Sequence, residues 1–206
     1  MHSKKRNIYS RTDKEVSMHE KKTLFIIIFN LVIFVFAATL VCGFKSGDFI
    51  RITKKNLKQC PNCDLSGAHL SYRDLSEIDL QNADLTDADL SHTTMTNAKL
   101  KGANFTHANL SYAVMNGADL SDAKMDNTRM VFATLNKANL HGATMVGARM
   151  NYIKLTDADL TNTNLSNAIM TEAELTRANL SNAKMDNVIW IDGRRCKEGS
   201  IGECMN

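Results

Sequence analysis

The sequence predicts an all-β solenoid, and three observations carry that expectation. From Leu65 to Trp190 every fifth residue is large and apolar: 26 positions holding 16 Leu, 8 Met, one Phe and one Trp. Two residues before each stands a second, smaller series in which Ala fills 18 of the 26 places, with mostly Thr, Ile, Val or Cys in the others. The remaining three positions are almost entirely Ser, Thr, Asn, Asp, Gly and Lys. A period of five fits neither the helical repeat of about 3.6 nor the strand alternation of about 2. A fixed internal period is instead the mark of a repeat architecture.

The geometry of the repeat follows from its two apolar positions. Residues two apart, such as Ala88 and Leu90, point to the same side of an extended segment. The chain must then turn before the next unit, or the inward positions would drift off the core. A short extended side followed by a turn, repeated, closes into a tube with several sides. The Leu and Met side chains fill it, Ala sits where there is room for a methyl, and the polar positions face water. No unit buries its own Leu, so stability comes from stacking coil on coil. The column Leu80, Leu100, Leu120, Leu140, Leu160 and Leu180 is pure Leu, while Met130, Met150 and Met170 share another column. That segregation suits distinguishable sides in a 20-residue coil.

The phrase A-[DN]-L-x-x, as in Ala83-Asp84-Leu85, Ala103-Asn104-Phe105 and Ala138-Asn139-Leu140, resembles the pentapeptide-repeat family. The resemblance covers 65–190. The flanks, Cys60-Pro61-Asn62-Cys63 in front and Trp190-Ile191-Asp192-Gly193 with Cys196 and Cys204 behind, are similar to those of bacterial members. It implies a right-handed quadrilateral β-helix with four units per coil, here about 6.5 coils. The family implies no single job. Some members are acidic rods that resemble duplex DNA and bind a topoisomerase such as gyrase.

Taken in order, residues 1–22 form a polar N-terminal tail with seven Lys/Arg against three acids. Thr23 to Phe44 is a run of 22 residues without a charge, long enough for a transmembrane helix, which needs about 20 apolar residues. A cleaved signal peptide is the alternative, but its apolar region is normally about 7–15 residues. The span is therefore expected to be an uncleaved signal anchor, making the protein single-pass. Residues 45–64 are expected to be a juxtamembrane linker and N-cap, with Phe49, Ile50, Ile52 and Leu57 to cover the open end of the tube. Residues 65–190 are the repeat, uninterrupted by Pro, and 191–206 a C-terminal cap.

Orientation does not follow from flanking charge, since four Lys/Arg precede the span and five follow it within 15 residues. Cysteine placement decides it. Apart from Cys42, the cysteines form two close pairs, Cys60/Cys63 and Cys196/Cys204, one at each end of the repeat. Disulfide staples on the two caps are the favoured reading, with free structural thiols second and a redox or zinc site third. Disulfides persist outside the cytosol, so the repeat is expected to be periplasmic or otherwise extracytoplasmic.

Chemistry is expected to be absent. His69, His92, His107 and His141 fall at outward positions of different coils, and no nucleophile elbow, phosphate loop or metal-ligand run occurs. The chain is thus read as a non-enzyme, with no catalytic residue, no metal, no cofactor and no small-molecule substrate. Between 65 and 190 there are 14 acids and 10 bases, and only Asp74 to Asp89 is one-signed. So mild and interspersed a balance argues against a DNA-mimicking rod, and the chain's net +3 comes from its tails, so it does not argue for binding nucleic acid. Two roles remain: a membrane-tethered structural or interaction module, or a cytosolic DNA mimic that binds a topoisomerase.

One outward column is aromatic: Tyr72, His92, Tyr112, Phe132 and Tyr152, spaced by 20. A 20-residue coil stacks them on one edge, about 4.8 Å per step. They are either a ladder that steadies the coils, at about 0.5–1.5 kcal/mol per pair, or a contact strip for a homodimer or another protein partner.

Overall fold

The computed structural model describes residues 59–205. The expected tail (1–22), span (23–44) and most of the linker (45–58) lie outside the described residues. Among the described residues no helix is long and apolar enough to cross a membrane.

Parallel bridges join each residue of a column to the one 20 positions on, from Gln59↔Asp79 to Ile169↔Ile189. The tube therefore has four sides. Face 1 carries the column Gln59, Asp79, Lys99; face 2 carries Asp64, Asp84, Asn104; face 3 carries His69, Asp89, Asn109; face 4 carries Asp74, Thr94, Val114. Backbone bonds lock the coils together: Leu100 N–H donates to Asp119 at 2.7 Å on the following coil, and Lys99 N–H donates to Ile78 at 2.8 Å on the preceding one. Leu80, Leu100, Leu120, Leu140 and Leu160 are fully buried, as are Met130, Met150, Met170 and Phe105. Each such side chain contributes about 1.5–3 kcal/mol by leaving water.

The turns are alike at every corner. In each unit the N–H three residues after the central residue donates back to its carbonyl, as Ala103 does to Leu100 at 3.0 Å. The residue two after the centre has positive φ in all 26 units from Asn62 to Asn187. That is a type II turn, which needs φ > 0 at its third residue and accepts Pro at its second, as Pro61 shows. The positive-φ residues define corner A (Asn62, Asn82, Gly102 onward), corner B (Gly67, Asp87, His107), corner C (Tyr72, His92, Tyr112) and corner D (Glu77, Asn97, Gly117).

The Asp or Asn before the central residue has a local task. Its Oδ1 accepts the N–H two residues on, and often the Ser/Thr hydroxyl there: Thr86 N at 3.0 Å and Oγ1 at 2.6 Å on Asp84 are one case. This Asx turn opens the corner and explains why [DN]-L-[ST] recurs. Thr replaces Ala at three inward places, Thr93, Thr128 and Thr163. Each is buried, and each hydroxyl is satisfied by the carbonyl three residues back, at 2.7–2.8 Å. Arg73, also at an inward place in the register, is exposed instead, because a guanidinium cannot enter an apolar core without a partner.

Coil geometry is already in place at Gln59 to Asp64, upstream of Leu65. Cys60 takes a central position and Cys63 an Ala position, and both are buried. At the far end the chain reverses. Lys184↔Ile201 and Ile189↔Arg195 pair antiparallel, so the cap folds back over the last units. It covers Met185 and Val188 but leaves Leu175, Ala178 and Leu180 partly open on the neighbouring side.

Candidate interaction surface

Tyr72, His92, Tyr112, Phe132 and Tyr152 stand above one another at corner C. Their ring centroids are 4.6, 4.7, 5.1 and 4.8 Å apart, with interplanar angles of 4°, 4°, 15° and 8°. The rings adopt the coil spacing because each hangs from the same turn position. All five remain exposed, Tyr72 at 76% and Tyr112, Phe132 and Tyr152 at 43–49%.

Each rung has φ of 57–61°, a conformation that costs an ordinary side chain roughly 1–2 kcal/mol. Stacking returns about 0.5–1.5 kcal/mol per pair, and five rungs make four pairs. Self-stacking thus offsets much of the cost without exceeding it clearly. The stack also occupies the ring faces, so the edge offers solvent ring edges and the phenol groups of Tyr72, Tyr112 and Tyr152. An edge of that kind suits packing against another protein better than stacking of a sugar or a base.

Face 3 adjoins this edge, and its column runs Asp89, Asn109, Arg129, Arg149, Ile169. Asn109 Nδ2 donates to Asp89 Oδ1 at 3.1 Å, and Ser91 N–H reaches the same atom at 3.1 Å. Burial pushes the Asp89 carboxyl up. Hydrogen bonds from Ser91 and Asn109, with the charge of His69, outweigh that and hold it below its ordinary value. Above Asn109 the pairing changes. Arg129 and Arg149 are direct neighbours across a bridge, a like-charge arrangement that is destabilising. Neither meets a carboxylate within 4.0 Å among the described residues. They line a groove of about 560 Å³ with His107, Asn109 and Asn127. Gly147 keeps its floor low: a Cβ there would come within 2.7 Å of Asn127 Oδ1. Two Arg at a separation of 20 were legible in the sequence, but the groove between them was not.

At the ends, the sulfurs of Cys60 and Cys63 and those of Cys196 and Cys204 are in bonding contact, with Cα separations of 5.5 and 4.9 Å. The first pair closes the earliest described turn, and the second fastens the antiparallel cap. His69, His92, His107 and His141 are exposed on separate coils. Among the described residues no three His, Cys, Asp or Glu side chains converge as metal ligands would.

Comparison with known proteins adds a family. The model for pentapeptide repeats (8 copies) matches residues 63–102, 98–131, 113–151 and 153–189. Among solved structures, a pentapeptide repeat protein of the Arabidopsis thaliana thylakoid lumen is 26% identical, over 58% of this chain and 69% of that one, with a TM-score of 0.41. QnrB1, a plasmid-mediated fluoroquinolone resistance protein, is 20% identical over 63% and 70%, with a TM-score of 0.49. A pentapeptide repeat protein from the cyanobacterium Cyanothece 51142 is 19% identical over 70% and 98%, with a TM-score of 0.39. No curated protein matches the chain.

Proposed function

The chain belongs to the pentapeptide-repeat family, and from that premise we propose that it is a non-catalytic interaction module. Its right-handed coil is held at the outer side of a bacterial cytoplasmic membrane by the single span over 23–44. The observation that carries the interaction role is the exposed five-ring edge at corner C. Aromatic residues are costly at a positive-φ position, where Gly or Asn would serve the turn at less cost, and apolar strips rimmed by polar groups mark contact surfaces. The outward orientation draws its support from the cysteine pairs, because disulfides persist outside the cytosol.

Two measurements test this reading. An alkaline phosphatase fused to the C-terminus should be active, and thiol mapping without reductant should find Cys60, Cys63, Cys196 and Cys204 oxidised. An inactive fusion with all four thiols free would place the repeat in the cytosol and favour the topoisomerase-binding role instead. The triple change of Tyr112, Phe132 and Tyr152 to Asn should abolish self-association of the full chain while leaving it folded. If association is unchanged and the melting temperature falls, the rings are a stabilising ladder only.

A further inference from the structure

We propose that two copies of this chain pair through face 3 and its aromatic edge, with the rods antiparallel about a twofold axis at the level of Tyr112. The proposal rests on the reading of corner C as a contact surface, and it adds the partner, the orientation and the register.

Two independent sets of residues are centred on the same level. The ladder has two rungs on either side of Tyr112. On the adjoining face, Asp89 lies one coil before Asn109 and Arg129 one coil after it, and Asn109 is in the same repeat unit as Tyr112. A twofold axis along the face at this level keeps each column over itself and reverses the order of coils. Tyr72 then opposes the partner's Tyr152, His92 opposes the partner's Phe132, and Tyr112 opposes its own copy. The same operation sets Asp89 against the partner's Arg129. Arg149, one coil further on, stands opposite the partner's His69 and reaches past it to the same carboxylate, since an Arg side chain is longer than the coil spacing of about 4.8 Å. The unanswered guanidinium pair thereby receives a carboxylate, and because the interface is isologous each contact is made twice.

The alternatives fail on charge. Parallel rods on this face would set Asp89 on Asp89 and Arg129 on Arg129, and like charges brought together across an interface are strongly disfavoured. Face 4 also meets the aromatic edge, but the one cation in its bridged column, Lys154, already sits beside Glu174 on the next coil. Faces 1 and 2 do not adjoin corner C. The contact spans five coils, about 24 Å, a short interface of the kind that makes weak, concentration-dependent pairs.

The test uses the full chain in detergent solution, with sedimentation measured over a range of concentrations. Wild type should show a monomer–dimer equilibrium. Asp89→Arg and Arg129→Asp should each weaken it by about tenfold or more, and the double swap should restore it. Oxidation should link Asn109→Cys, which lies on the axis, into dimers, whereas Asn139→Cys on the opposite face should stay unlinked; this readout does not depend on the swapped variants folding. A wild type that is monomeric throughout, a double swap as weak as the singles, or equal linking at both cysteines would overturn the proposal. If the aromatic triple variant loses the dimer while the charge swaps do nothing, the contact strip stands and this register falls. If neither set matters, the contact reading falls with it.

Discussion

Corners A and C lie on opposite edges of the tube and meet one backbone demand in different ways. Both require positive φ at every coil. Corner A answers with Asn82, Gly102, Asp122, Gly142 and Asn162, residues that tolerate the left-handed region at little cost. There Asp122 Oδ1 leans over Gly142, in space that a Cβ would enter at 2.8 Å. Corner C answers with Tyr72, His92, Tyr112, Phe132 and Tyr152, whose rings stack at 4.6–5.1 Å. The backbone is equivalent, so the difference must come from what the side chains do along the rod axis. From Asn82 to Asn162 small and large alternate at corner A, and Asn82 and Asp122 each shelter the Gly that follows. At corner C a uniform run of rings supports itself. The turn sets a residue preference, but a column with its own interactions can override it.

The largest change expected is one that removes the support of both corners. Leu120 is fully buried in the Leu column, and Leu120→Asp should cost on the order of 4 kcal/mol, because it buries a charge without a partner. Chemical denaturation of the full chain would show this as a large fall in midpoint. A variant as stable as wild type would mean that position 120 is not in the core.

A smaller effect is expected from placing an aromatic on the wrong corner. Gly142→Tyr must adopt φ near +69° beside Asp122, with no ring above or below it. A loss of roughly 1–2 kcal/mol follows from the left-handed backbone alone. If the variant is neutral, the turn preference at corner A is weaker than the Gly/Asn column implies, and the contrast between the corners loses its energetic basis.

The smallest effect is expected from the reverse exchange. Tyr112→Asn gives up two stacking contacts of about 0.5–1.5 kcal/mol each but relieves a backbone penalty of comparable size. The net change in stability should stay within about 1 kcal/mol. A much larger loss would make the ladder a structural brace in its own right and weaken the case for a contact surface.

Much of this architecture was legible because each five-residue unit carries its own instructions. Leu or Met at the centre and Ala two before it named the inward positions without any tertiary knowledge. Asp or Asn followed by Ser or Thr encodes an Asx turn within three residues. The aromatic column could be read as soon as the coil length was 20. The turn type itself went unread, although 16 of the 26 third positions are Gly, Asn or Asp. The aromatic, acidic and basic residues at the other ten obscure the pattern, as Lys137 and Arg177 show.

What the sequence determined by itself was therefore the period, the core positions and the columns, because these follow from contacts that repeat identically in every coil. The tertiary structure decided what happens where repetition fails or where columns meet. Coil geometry is already present at Cys60 and Cys63, ahead of Leu65, because a buried cysteine can take a Leu or Ala place in the tube. The cap returns antiparallel because Met185 and Val188 need cover where no further coil follows. Arg129 and Arg149 share an open groove because Gly147 and Asn127 shape the neighbouring corner. Each of these depends on side chains from different coils, or on the end of the rod. A local five-residue phrase specifies its own turn and inward side, and it carries no information about what the adjacent coil presents.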